Sequence, residues 1–234
     1  MERRLPAVLV LLGVAGACWA VTVERMYGMD MGPGTALGGL GWFAVVWVTM
    51  MAAMMLPSLS PMAVASTRST GRIVVFSAGY LLSWLAFGIV AYAIVDGVRG
   101  LGLGFLAWSR AGRYIAGAVL LGAALYELTA VKRNALQHCR DARLLRSRGG
   151  ALMMGVEQGG YCVGCSGALM AALFALGVMS IAWMLVIASL VAIEKLLPWA
   201  VIAVGTTTLA LGLLGTAVMV APHHVPWLTI PMSM

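Results

Sequence analysis

A run of apolar residues long enough to cross a bilayer constrains this chain more than any other feature. Residues 166–193 contain no charged side chain. At about 1.5 Å per helical residue such a run exceeds the hydrocarbon core of a membrane. Lipid offers the backbone no hydrogen-bonding partner, so the segment must satisfy its own N–H and C=O groups, as an α-helix does. Comparable runs occupy residues 5–23, 37–56, 73–95, 114–131 and 199–221. The expected fold is an all-α polytopic integral membrane protein of about six transmembrane helices, a single membrane domain over residues 1–234. With 62% hydrophobic and 10% charged residues, the chain lacks the polar surface of a soluble domain. The formal net charge of +7 would suggest nucleic acid in a soluble protein. In a membrane chain it records basic loops held on the cytoplasmic side, and no nucleic-acid partner is expected.

At the start of the long run stands Gly159-Gly160-Tyr161-Cys162-Val163-Gly164-Cys165. In a helix, Cys162 and Cys165 fall one turn apart on one face. They are expected at the mouth of a membrane helix. The second run ends in Met50-Met51-Ala52-Ala53-Met54-Met55, followed by Pro57 and Pro61. Met50 pairs with Met54 and Met51 with Met55 at i, i+4. The prolines, lacking an N–H, are expected to end that helix. Methionine also fills gaps between packed helices, and that reading stays open beside a ligand role. Four irregularly spaced cysteines do not form a disulfide framework. Thiolates combined with thioethers are soft donors that suit Cu(I) best, with zinc a weaker fit. A reducing cytosol would keep the thiols free. It would equally allow thiol–disulfide exchange, the competing chemistry.

Residues 132–158 read as a basic cytoplasmic loop carrying Lys132, Arg133, Arg140, Arg143, Arg146 and Arg148, with His138 and Cys139 among them. With six spans this loop shares a side with both termini and with residues 58–72, which add Arg3, Arg4, Arg68 and Arg72. The opposite side holds Arg25, Arg99, Arg110, Arg113 and Lys195. The richer side is expected to be cytoplasmic. Glu127, inside the fourth run, is a functional candidate by its position, or a partner for Lys132 close by in sequence. Met26, Met29, Met31 and Asp30 form a weak soft-metal group, and His223–His224 a weaker one. The first run is expected to remain as an uncleaved helix rather than a signal peptide.

The strings MAAMMLPS from Met51, YCVGCSGALMAALFALGVMSIAWM from Tyr161 with the later EKLLP, and YELTAVKRNALQHCR from Tyr126 resemble a bacterial family of small polytopic membrane proteins. That family was formerly a domain of unknown function, described as a predicted metal-binding integral membrane protein, and is now called a copper chaperone family. The resemblance implies Cu(I) binding and delivery to a copper enzyme or partner chaperone. It points to Cys162, Cys165, Met54 and Met55; apart from the resemblance, Met50, Met51, Met170 and Cys139 are further candidate donors. The chain departs from the family in having Ser166 where a second adjacent cysteine is common, Gln158 in place of histidine and Asn134 in place of cysteine. The expected protein is a non-enzymatic copper carrier in the bacterial cytoplasmic membrane, with both termini cytoplasmic. The alternatives are a thiol–disulfide carrier using Cys162 and Cys165, and a small-solute transporter in which Glu127 couples transport.

Overall fold

The computed structural model describes residues 5–26, 38–66, 69–100, 112–141, 150–177, 180–197, 199–222 and 225. Among these residues there are eight helices and no strand. In chain order they are α1 (Leu5–Met26), α2 (Leu40–Ser66), α3 (Thr70–Gly100), α4 (Arg113–Glu127), α5 (Ala130–Arg140), α6 (Gly150–Leu176), α7 (Ile181–Leu196) and α8 (Ala200–Val220). Five helices are long and apolar enough to cross a membrane: α1, α2, α3, α6 and α8. A sixth span arises if α4 and α5, bent by 67° at their junction, are taken together. The all-α, multi-pass expectation holds. The Met26–Asp30–Met31 group, apart from Met26 at the end of α1, and the His223–His224 pair lie outside the described residues.

Three helix boundaries differ from the sequence expectation. The prolines do not end α2, which continues through Pro57 and Pro61 to Ser66. Each proline deprives the carbonyl four residues earlier of its donor. For Pro61 that acceptor is Pro57 O, and the Ser60 hydroxyl donates to it at 2.9 Å. The Ser60 hydroxyl thus stands in for the backbone donor that Pro61 lacks.

The run 166–193 is not one helix. α6 begins at Gly150 and stops at Leu176, and α7 starts at Ile181. Gly177 between them has φ 115°, a backbone conformation that favours glycine over every other residue. Hydropathy cannot register this break, because the residues on both sides are equally apolar. The cysteine pair consequently sits in the interior of α6 and not at a helix mouth.

The expected loop 132–158 contains most of α5 and the first turns of α6. Thr129 starts α5, its hydroxyl accepting from Lys132 N–H at 3.3 Å, a cap on one of the free donors of the first turn. Lys132, Ala135, Leu136 and Cys139 are all buried, and their spacing follows one helical face.

The chain divides into two compact units. The first comprises residues 1–25, 37–94 and 134–165. Within it α3 and residues 150–165 of α6 approach at backbone distance. A Cβ on Gly155 would strike the Phe76 carbonyl, and one on Gly159 would lie 2.6 Å from Ser83 Cβ. Glycines four residues apart let apolar helices close where no hydrophobic force drives them together in lipid. Ser83 Oγ donates to Val156 O at 2.9 Å across the same seam. α2 is held to α3 by Trp47, whose indole N–H donates to Trp84 O at 2.8 Å.

The second unit comprises residues 26–36, 95–133 and 166–234. Here α4 lies against α8. A Cβ on Gly117 would collide with the Met219 side chain and come within 2.9 Å of Gly215 O. The unit also holds a buried charge cluster. Lys132 Nζ donates to Glu127 Oε1 at 2.7 Å and to Glu194 Oε2 at 2.8 Å, and Glu127 Oε2 lies 2.6 Å from the same nitrogen. Glu127 therefore does meet Lys132. Glu194, which the sequence places at a polar helix end, is the second partner and is only 1% exposed.

Candidate metal centre

Three sulfur atoms converge inside the first unit. The Sγ atoms of Cys139, Cys162 and Cys165 all lie within 4.8 Å of one another, the one such group of three or more His, Cys, Asp or Glu ligand atoms among the described residues. Cys162 and Cys165 are fully buried and Cys139 is 9% exposed. The pair comes from one turn of α6, as its spacing dictates. The third comes from α5, whose buried face ends at Cys139. None of the three is in a disulfide.

The arrangement is tied down by hydrogen bonds. Cys165 Sγ donates to Cys139 Sγ at 3.3 Å and to Cys162 O at 3.4 Å. Tyr80 Oη from α3 lies 2.9 Å from Cys162 Sγ. Gln158 Nε2 donates to Cys139 O at 3.3 Å, fixing the end of α5 to α6. Outside the trio, the His138 ring stacks on Tyr161 at 4.3 Å between centroids, with planes 15° apart.

The donor set fits a soft monovalent metal. With metal–sulfur bonds of about 2.3 Å, three sulfurs in one plane stand about 4.0 Å apart. The sulfurs here lie within 4.8 Å of one another, with Cys139 and Cys165 at 3.3 Å, a spacing close to that scale. Among the described residues no fourth His, Cys, Asp or Glu joins the three thiols, which by themselves fall short of the closed tetrahedral set of a structural zinc site. They match Cu(I), which accepts low coordination by soft ligands. Thiol exchange fares worse. A reactive Cys-x-x-Cys draws its low thiol pKa from a helix N-terminus and needs access for an attacking thiol. Cys162 and Cys165 sit in mid-helix and are buried.

Of the other candidates, Met50, Met51, Met54 and Met55 are all buried on α2, within the first unit. Met170 is buried on α6 in the second unit. Gln158, at a position where histidine was the expected ligand, is 2% exposed and serves through its amide as a clamp on Cys139. Asn134 is exposed, and Ser166 is buried directly after Cys165 in α6. Cys18, on α1, is half-buried and outside the sulfur group. Tyr80, in the third apolar run, is the contact that the sequence does not mark. Cys139 carried a signal in the periodicity of residues 132, 135, 136 and 139, masked by the surrounding arginines.

A family model, PpoB2, described as copper chaperone, matches residues 44–219. No curated protein matches the chain, and no solved structure does. The family match spans more than half of the chain, from α2 into α8, and takes in all three clustered cysteines. The chain belongs to this copper chaperone family.

Proposed function

For a member of that family we propose a specific role: a membrane-embedded protein that binds one Cu(I) at Cys139, Cys162 and Cys165 and hands it to a partner protein, without catalysing a reaction of its own. The observation that carries this reading is the convergence of three buried sulfurs from two helices. Binding replaces thiol protons with the metal. A buried site penalises accumulated negative charge, so two thiolates and one retained thiol would leave a smaller burden than three thiolates. Tyr80 relieves that burden, because a hydroxyl facing a thiolate can only donate. Met54 and Met55 are proposed as auxiliary soft donors from α2, with Met50 and Met51 behind them. The site would lie in a bacterial cytoplasmic membrane with both termini and the basic segment around Arg140 on the cytoplasmic side, the orientation favoured by the basic residues.

The test is metal analysis of the purified, reduced protein together with Cys139→Ala, Cys162→Ala and Cys165→Ala. The expected result is one copper per chain in the parent, with Cys162→Ala and Cys165→Ala retaining almost none and Cys139→Ala retaining it more weakly. A parent that retains no copper while forming a mixed disulfide with a second protein would overturn the reading in favour of thiol exchange.

A further inference from the structure

A site as deeply buried as these three sulfurs needs a donor at its edge through which the metal can arrive and leave. Cys139 is the most exposed of the three, at 9%. Its neighbour in α5, His138, is half-buried and reaches the surface. His138 Nδ1 lies 2.9 Å from Asn134 O. A backbone carbonyl can only accept, so Nδ1 carries the proton. In the neutral ring Nε2 then keeps an open lone pair. Metal-ligating histidines are oriented in this way, by donation from the other ring nitrogen to a carbonyl. The Tyr161 ring, stacked at 4.3 Å and 15°, fixes the plane of the imidazole. Tyr161 itself precedes Cys162, so the stacked pair joins α5 to α6 one residue before each helix contributes its first sulfur. The imidazole is not part of the close sulfur group. It is thus an oriented, borderline donor, one residue from Cys139 in α5 and outside the sulfur group.

From this geometry we infer that His138 is the transfer ligand of the cysteine site. It binds Cu(I) transiently through Nε2 as the ion passes between an external donor and the thiols. The inference rests on the copper-binding role proposed above. Each step is a ligand exchange at constant oxidation state. A dative bond from Nε2 to copper forms as one bond to the external donor breaks. A sulfur–copper bond then forms as the nitrogen–copper bond breaks, and the thiol proton leaves to water. Release retraces these steps. A ligand used only in passage lowers the barrier equally in both directions and leaves the equilibrium unchanged.

The experiment uses the full-length protein, reduced and anaerobic, mixed with Cu(I) held by a chromophoric chelator. Loss of the chelator's colour reports uptake, and its return in excess chelator reports release. His138→Phe keeps a ring to stack on Tyr161 and removes the nitrogen; His138→Ala removes both. Both variants should slow uptake and release by the same factor, on the order of tenfold or more, with the final copper distribution unaltered. His138→Phe exchanging at the parent rate would overturn the inference, and the ring would then be a packing element. Faster release with weaker final retention would also overturn it, making His138 a resident ligand. A parent protein that takes up no copper from the chelator would instead sink the copper-binding role itself, and the transfer ligand with it.

Discussion

Removing Lys132 is the sharpest perturbation of the fold. Its ammonium is fully buried and contacts Glu127 at 2.6 Å and Glu194 at 2.8 Å. The three residues belong to the end of α4, the first turn of α5 and the last turn of α7. Lys132→Met preserves the length and apolar volume of the stem but leaves two carboxylates facing each other without the cation. Breaking a buried ion pair by removing one partner costs about 3–5 kcal/mol. For a chain of this size each kcal/mol moves the unfolding midpoint by roughly 2–4 °C. The expected fall is therefore about 6–20 °C, enough to consume much of a total stability of about 5–15 kcal/mol. Glu194→Gln should be far milder, since one carboxylate still balances the ammonium and the amide oxygen can still accept. The triple variant Lys132→Met, Glu127→Gln, Glu194→Gln removes every charge and should recover most of the loss. Thermal unfolding in detergent or lipid discs, followed by loss of monomeric protein, measures all four forms. A Lys132→Met protein melting within about 2 °C of the parent would refute the argument, being less than 1 kcal/mol on the same scale. A triple variant as unstable as the single one would show that lost packing, not uncompensated charge, is responsible.

Tyr80→Phe removes the hydroxyl that faces Cys162 while keeping the ring. A hydrogen bond to a charged group is worth about 1.5–3 kcal/mol, so Cu(I) affinity in a competition titration should fall by roughly 10- to 150-fold with the melting temperature nearly unchanged. Gly155→Val places a branched side chain against the Phe76 carbonyl. The variant should fail to accumulate as folded protein or melt at least 10 °C lower, about 3 kcal/mol or more, in a thermal assay. Met54→Leu is nearly isosteric and should leave folding within about 1.5 kcal/mol of the parent. If the thioether is an auxiliary donor, copper retention after dialysis against a chelator will fall with it.

The architecture was legible because lipid-length apolar runs admit few solutions; about six spans followed from them, against five in the structure, or six if α4 and α5 count as one. Helix ends were less legible, for reasons that lie in single residues. Pro57 and Pro61 remove backbone donors, but Ser60 supplies one locally and the helix goes on. Gly177 ends α6 in the middle of an unbroken apolar run, where no polar residue marks the place. The cysteine pair announced itself by spacing. Cys139 did not, because four arginines between positions 133 and 146 make the segment look like a solvated loop. Its helical character shows only when the buried face is separated from the charged one. Tyr80 could not have been assigned from sequence. Its contact with Cys162 spans 82 positions and depends on the close approach that Gly155 and Gly159 permit.

The two buried polar clusters answer to different demands. In the Lys132 cluster one ammonium stands between two carboxylates, and it must stay for them to be tolerated. Removing that cation alone is the costly change, which suits a fixed structural element. Thiols, by contrast, can remain protonated in an apolar interior at little cost. On the copper-binding role proposed above, a thiol cluster would acquire charge only as a metal arrives to stabilise it. A site of that kind can exist in two states within one fold, as the proposed carrier role requires. The same reasoning favours sulfur donors for that role. Three carboxylates in that place would be charged before binding and would need a permanent counter-ion of their own. Three thiols need only a hydroxyl such as that of Tyr80, poised to donate once a thiolate forms.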